Sequence, residues 1–200
     1  MHDGEVLLVI DVQNDFCPDG RLAVPSGDEV VPVINRRARD FRHVVLTQDW
    51  HPEGHSSFAS SHPGHDIFST IAMPYGPQTL WPDHCTWGSA GAEFHSGLDI
   101  PQAELVIRKG FRRGIDSYSA FFENDRTTPT GLLGYLRERG FTRVVLAGLA
   151  FDYCVRYSAE DAALHGFDPI VIEEACRAID LNGTAAATKA AFRDKGIKLR

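Results

Sequence analysis

The chain of 200 residues is long enough to bury a hydrophobic core without disulfide bonds, and its 43 % hydrophobic and 24 % charged residues are typical of a globular protein. The formal net charge of −7 disfavours binding to nucleic acid or to an anionic membrane, so we expect a small-molecule partner. No apolar stretch reaches transmembrane length and no basic segment precedes the first apolar run, which predicts a cytoplasmic protein without a cleavable signal peptide.

The predicted elements alternate between strands and helices. Strands are assigned where short runs are β-branched and apolar on both faces, as in buried parallel sheets, and helices where the apolar period is helical. This alternation predicts an α/β fold of three αβα layers with a mostly parallel central sheet, in one domain spanning residues 1–200. In chain order the elements are strand 6–10, helix 29–41, strand 44–47, a weaker strand 105–107, helix 131–139, strand 144–147, helix 153–165, a weaker strand 170–172 and helix 184–195.

One long segment, from about residue 50 to residue 98, shows neither the strand nor the helix period. It is rich in His, Ser, Pro and Gly, and it also contains aromatic residues. Irregular segments of this length inside a compact domain are functional or disordered, and aromatic residues favour function. We therefore expect this segment to bind metal and substrate.

Side chains capable of chemistry follow the predicted strands, whose carboxyl ends are where open α/β sheets bind ligands. Asp11 follows the first strand, Lys109 follows the strand at 105–107, and Cys154 lies at a helix start just after strand 144–147. Backbone N–H groups at such a turn favour a thiolate, and Asp11 with Lys109 could supply a base and a counter-charge. Taken singly, these residues are better explained as a capping aspartate, a buried thiol and a solvated lysine, and their shared place at strand ends is what favours function.

A second group of residues has the chemistry of metal ligands. Asp49 and His51 are two residues apart in extended backbone, where alternate side chains share a face, and His84 offers a third ligand from the irregular segment. One Asp and two His with open positions suit a catalytic metal, because structural zinc sites are normally closed by four protein ligands. For any single histidine, a place in a polar loop is the simpler interpretation.

Five motifs together resemble those of a known family. Their order and approximate spacing, from about residue 7 to residue 175, are similar to the nicotinamidase/pyrazinamidase branch of the isochorismatase-like hydrolases. The motifs are residues 10–16 (IDVQNDF), 49–52 (DWHP), 81–85 (WPDHC), 108–110 (RKG) and 148–155 (GLAFDYCV).

The resemblance implies roles for individual residues. It implies a catalytic triad of Asp11, Lys109 and Cys154, and one divalent metal, with Zn²⁺ favoured and Fe²⁺ or Mn²⁺ as alternatives, held by Asp49, His51 and His84. Some family members add a fourth protein ligand, and this chain offers Ser57 or His55 near that position, with water as the remaining choice.

The resemblance also implies how the substrate is held. A cis peptide bond between Leu149 and Ala150 would aim the backbone N–H groups of Ala150 and Cys154 at the oxyanion. The aromatic walls of the substrate site would come from Phe16, Trp81 and Tyr118.

The implied activity is the metal-dependent hydrolysis of nicotinamide to nicotinate and ammonia through a cysteine thioester, with pyrazinamide as a further substrate and a place in NAD salvage. Two alternatives stay open: hydrolysis of another small amide or carbamoyl compound by the same fold, and a non-catalytic metal-binding protein. The metal motif argues against the first, and the complete triad argues against the second. The sequence does not distinguish a monomer from a homo-oligomer, and it assigns no chemistry to Cys17, Cys85 and Cys176.

Overall fold

The computed structural model describes residues 4–200. Six of its strands form a central sheet in which all neighbouring strands are parallel, and the other two form a separate antiparallel hairpin. The strands are β1 (Glu5–Ile10), β2 (Val44–Asp49), β3 (Thr70–Met73), β4 (Gly76–Thr79), β5 (Leu105–Lys109), β6 (Arg143–Leu149), β7 (Asp168–Arg177) and β8 (Lys198–Leu199). The order in the central sheet is β5-β2-β1-β6-β7-β8.

Four α-helices flank the sheet, and one π-helical turn, Phe151–Val155, leads directly into the third of them. None of the helices between residues 4 and 200 combines the length and the apolarity of a membrane span. The helices are α1 (Val30–Ala38), α2 (Leu132–Glu138), α3 (Arg156–Leu164) and α4 (Thr184–Lys195).

The two faces of the sheet bury different helices. In β1, Leu7 points into a cluster of buried residues that contains Ile34 of α1. Its neighbour Leu8 points into the opposite cluster, together with Leu136 of α2 and Phe192 of α4. This alternation follows from the two-residue period of a strand and gives helix, sheet and helix layers. The predicted three-layer αβα fold with a mostly parallel sheet is confirmed.

Several predicted boundaries were wrong. The segment at 50–98 contains the hairpin β3-β4, whose strands are mostly half-exposed and carry little apolar pattern for a sequence to show. The helix predicted to begin at residue 153 begins as an α-helix only at Arg156, because a wholly buried π-turn precedes it. The strand predicted at 170–172 is part of a ten-residue strand, and β8 was not predicted.

The carboxyl ends of β2, β1 and β6 lie next to one another in the sheet. The chain continues from β1 to β2 on one side and later returns to β6 on the other side, an arrangement that opens a crevice for ligands at the strand ends. Gly148 of β6 has φ +123°, and a Cβ there would lie 2.1 Å from the Ile10 carbonyl oxygen. Glycine therefore allows β6 to approach β1 closely just before the crevice.

Candidate active site

Lys109, the last residue of β5, is fully buried among polar side chains. Its Nζ lies 2.9 Å from Asp11 Oδ2, 2.9 Å from Asp49 Oδ1 and 3.4 Å from Cys154 Sγ. It also donates a hydrogen bond of 2.9 Å to the carbonyl of Ser117. One ammonium group thus contacts Asp11 and Cys154, both predicted to lie at strand ends, and also the predicted metal ligand Asp49.

The charge of Lys109 is maintained by its neighbours. Burial by itself would lower the pKa of the ammonium, but the carboxylates of Asp11 and Asp49 raise that pKa well above its ordinary value. The two carboxylates therefore favour the charged form of Lys109 although the side chain is fully buried.

Asp11 is held in an uncommon backbone conformation, with φ +46°. The Thr47 hydroxyl donates a hydrogen bond of 2.6 Å to Asp11 Oδ1 and accepts one of 3.1 Å from the Asp11 backbone N–H. Burial raises the pKa of Asp11, and although Lys109 opposes this shift, the net direction is upward. The carboxylate is consequently a better proton acceptor than an exposed aspartate.

Cys154 lies in the π-turn that follows β6 and is buried. Burial raises the pKa of its thiol well above the ordinary value, Lys109 acts in the opposite direction, and Asp11 and Asp49 raise the pKa further. The resting group is therefore a neutral thiol, which requires a base in order to act as a nucleophile.

A narrow cavity, with about 20 Å³ of room for the centres of water-sized molecules, lies beside the Cys154 thiol. All three predicted aromatic wall residues and Ala150 line it, and the Leu149–Ala150 peptide bond is cis. Four further lining residues were not identified from the sequence: Leu22, Asp116, Tyr153 and Ile179.

The aromatic rings around the cavity support one another. Trp81 and Tyr153 meet edge to face with centroids 4.9 Å apart, and Tyr153 and Tyr118 have centroids 5.5 Å apart. Trp81 Nε1 donates a hydrogen bond of 3.2 Å to the Tyr118 hydroxyl. Because these contacts restrict ring rotation, the cavity has fixed apolar walls suited to a small planar molecule.

Asp49, His51 and His84 come together at the same cavity, with one potential ligand atom of each within 4.8 Å of the others. Nε2 of His51 lies 3.1 Å from Asp49 Oδ2, and Nε2 of His84 lies 3.5 Å from the same oxygen. The three predicted metal ligands are therefore neighbours in space, although 33 residues separate His51 from His84 in the sequence.

The hydrogen bonds of the two imidazoles identify the atoms available to a metal. Nδ1 of His51 donates to the Gly110 carbonyl and Nδ1 of His84 donates to the Pro82 carbonyl, both over 2.8 Å. In the neutral rings, both Nε2 lone pairs then face the Asp49 carboxylate, and His51 Nε2 is buried without a hydrogen-bond partner. Three lone-pair donors that converge in this way fit a divalent cation and repel one another without one.

Comparison with known proteins identifies the family. Residues 5–198 match the model of the isochorismatase domain. The chain belongs to the isochorismatase family.

Relatives within the isochorismatase family share most of the chain. A nicotinamidase from Acinetobacter baylyi is 55 % identical over 178 residues, which cover 89 % of this chain and 83 % of that protein. A solved nicotinamidase/pyrazinamidase from Acinetobacter baumanii has a TM-score of 0.99 at 51 % identity, covering 100 % of this chain and 96 % of that one. A pyrazinamidase from Pyrococcus horikoshii, solved in complex with zinc, has a TM-score of 0.81 at 34 % identity and 98 % coverage of both chains.

In this isochorismatase-family chain, both nitrogens of His55 already have partners. Nε2 donates to the carbonyls of Arg112 and Ile115, each over 3.1 Å, so Nδ1 is the acceptor for the Ser57 hydroxyl at 2.7 Å. The His55 ring packs against the His51 ring, with centroids 4.3 Å apart. His55 therefore packs against the predicted metal ligand His51 with both of its own nitrogens engaged, so Ser57 or water would be left for a predicted fourth ligand.

Gly110 leaves room for the His51 ring. At φ +67°, a Cβ on this residue would lie 2.4 Å from His51 Cε1 and 2.8 Å from Nδ1. We expect Gly110→Ala to displace the ring and to weaken Zn²⁺ binding about 10–100-fold, the range typical of lost outer-shell support. Competition with a chromophoric chelator measures this change. The matched control is Gly114→Ala, whose Cβ meets no atom within 4 Å, and equal affinities of the two variants would contradict the expectation.

Proposed function

We propose that this protein hydrolyses nicotinamide to nicotinate and ammonia, and that it also accepts pyrazinamide. The observation that carries the proposal is the shared cavity: Cys154 lines it together with the potential metal ligands Asp49 and His84, and Lys109 contacts both Cys154 and Asp49. The likeness to nicotinamidases and pyrazinamidases supports the choice of substrate.

The first half of the proposed reaction forms a thioester. Asp11 accepts the thiol proton of Cys154 as Sγ bonds to the carboxamide carbon. The C–N bond then breaks, and the leaving nitrogen takes this proton from Asp11 and departs as ammonia. The raised pKa of Asp11 suits both steps, because the group must accept a proton and then release it.

The second half hydrolyses the thioester. Water attacks the carbonyl carbon and transfers a proton to Asp11, and the C–S bond breaks as the proton returns to Sγ of Cys154. Nicotinic acid leaves and releases its remaining proton to solvent as nicotinate forms, and the neutral thiol and the carboxylate of the enzyme are restored. Asp11 thus serves both halves without any redox cofactor.

Two groups of donors stabilise the charges that develop. The Lys109 ammonium, 3.4 Å from Sγ, stabilises the thiolate of Cys154 as the proton departs. The backbone N–H groups of Ala150 and Cys154 stabilise the oxyanion on the substrate carbon, which is the largest single term in many acyl transfers.

The metal site is proposed to consist of Asp49, His51 and His84, with Zn²⁺ favoured and Fe²⁺ or Mn²⁺ as alternatives. When bound, the ion supplies a Lewis-acid position for the pyridine nitrogen of the substrate and so orients the ring. Asp49 and His84 both line the cavity, which brings this ligand set next to the nucleophile.

The aromatic residues Phe16, Trp81 and Tyr118 are proposed to enclose the substrate ring and to exclude water from the oxyanion. With this substrate, the protein would recycle nicotinamide towards NAD, and we propose that it does so in the cytoplasm.

The purified, metal-loaded protein is expected to release ammonia from nicotinamide, and a chelator should lower the rate by about two orders of magnitude, the typical cost of a misplaced substrate. Ammonia release is measured with and without chelation. Benzamide is the matched control, since it has the same shape but no ring nitrogen, and it should react far more slowly. A folded, metal-replete protein that released no ammonia from nicotinamide would exclude the proposed substrate, and equal rates for both amides would exclude the role of the metal in orientation.

A further inference from the structure

Asp116 is a buried carboxylate to which the sequence analysis assigned no function. It is 3 % exposed and lines the cavity together with Cys154 and His84. One of its carboxylate oxygens lies within 4.8 Å of ring nitrogens of both His51 and His55. Asp116 therefore lies beside the proposed metal ligands as well as beside the nucleophile.

The Asp116 carboxylate accepts fewer hydrogen bonds from the protein than its two oxygens can accept. Oδ1 accepts from the backbone N–H of Ser117 at 2.8 Å, and Oδ2 accepts from Gln78 Nε2 at 2.7 Å. A carboxylate accepts about four hydrogen bonds, so lone pairs on the cavity side remain for a further donor.

Gln78 holds this carboxylate in one orientation. It lies fully buried on β4, and its Nε2 also donates to the Thr79 carbonyl at 2.7 Å and lies 3.1 Å from the Tyr118 hydroxyl. Its Oε1 accepts from Asn124 Nδ2 at 3.2 Å. The hairpin thus contributes one amide that connects Asp116 to the aromatic wall, and a side chain fixed in this way does not lose rotamer entropy when it binds a ligand.

The acidic side chains beside the cavity outnumber the basic side chains that contact them. The Lys109 ammonium contacts both Asp11 and Asp49, and the Asp116 carboxylate lies in the same buried region. One basic side chain thus faces three acidic ones, and buried charges are costly unless they are compensated. A divalent ion at the ligand set balances this charge.

We propose that Asp116 is an outer-sphere positioning residue of the metal centre, whose carboxylate accepts hydrogen bonds from water molecules that complete the coordination shell. This inference rests on the metal site proposed above. It explains why Asp116, which forms no ion pair with any side chain of residues 4–200, is buried on the cavity wall. Asp116 thereby sets the affinity for the ion and the orientation of its exchangeable ligands.

Asp116→Asn tests this role, because the substitution keeps the shape of the side chain and removes its charge. We expect the affinity for Zn²⁺ to fall about 10–100-fold, as is typical when an outer-shell partner of a metal site is lost. Competition with a chromophoric chelator measures the affinity, and the visible spectrum of the Co²⁺-loaded protein should shift because the ligand field changes. The matched control is Asp161→Asn, which removes another buried carboxylate, one that lies on α3 and pairs with Arg126, and it should leave both readouts unchanged.

A second variant addresses the case in which Asp116→Asn fails to fold. Gln78→Met keeps the Asp116 charge but removes its orienting donor, and it should weaken Zn²⁺ binding less than Asp116→Asn does. Affinities within about twofold of the unsubstituted protein for every folded variant would overturn the inference. These measurements do not involve turnover. Weakened binding in a protein that does not hydrolyse nicotinamide would retain the role of Asp116 and reject the proposed function alone.

Discussion

Cys154→Ala is expected to lower the turnover of nicotinamide by about 10⁴-fold or more, because no thioester can form without the sulfur. The cavity and the potential metal ligands do not depend on this sulfur, so Zn²⁺ binding should persist. Ammonia release gives the turnover number. Rapid quenching with hydroxylamine should trap nicotinoyl hydroxamate from the unsubstituted protein and none from the variant.

Cys176→Ala is the matched control for the loss of a thiol. Cys176 is also buried, and burial raises the pKa of its thiol to about 12, but it does not line the cavity beside Cys154. We expect nearly full activity from this variant. If Cys154→Ala retained a substantial fraction of the turnover, water rather than sulfur would have to be the attacking group, and the thioester mechanism would be excluded.

Lys109→Met should have the largest effect on stability. Methionine has a similar length but no charge, so the carboxylates of Asp11 and Asp49 would remain buried without their cation. Removing one partner from a buried ion pair typically lowers the free energy of unfolding by about 3–5 kcal/mol. Hydrolysis should also be lost, because the thiolate of Cys154 would no longer be stabilised. Urea unfolding in the presence of a chelator measures the stability without a contribution from bound metal.

Lys198→Met provides the comparison for a surface lysine. Lys198 lies 3.1 Å from Asp168, and 58 % of its side chain is exposed. Exposed ion pairs contribute about 0–1 kcal/mol, so this variant should unfold almost like the unsubstituted protein. Equal urea midpoints for the two variants would show that the buried cation is not required for the stability of the site.

The fold and the centre of the site could be predicted from the sequence because both depend on where the parallel strands end. Parallel strands end at the same edge of a sheet, so polar residues that follow buried strands in the sequence become neighbours in space. Asp11, Lys109 and Cys154 follow this rule, and the structure brings Asp11 and Cys154 within contact distance of the Lys109 ammonium. The roles assigned to them remain proposals.

The rest of the site depends on contacts that no local pattern reveals. Gln78 meets Asp116 across 38 positions, from a hairpin of two four-residue strands in which Gln78 is the one buried residue. Tyr153 precedes Cys154 and reaches the cavity because the helix begins with a π-turn, which changes the direction of its side chains relative to an α-helix. Periodicity identifies buried elements, but it does not predict how an irregular loop packs against them.

The Asp49 carboxylate has a different neighbour on each oxygen. Oδ1 contacts Lys109, whereas Oδ2 lies next to the imidazoles of His51 and His84. Residues that share a partner in this way have non-additive effects on substitution. A substitution at Asp49 therefore alters both halves of the site. To exchange the metal, or to run the cysteine chemistry without one, Asp49 and Lys109 would have to be redesigned together.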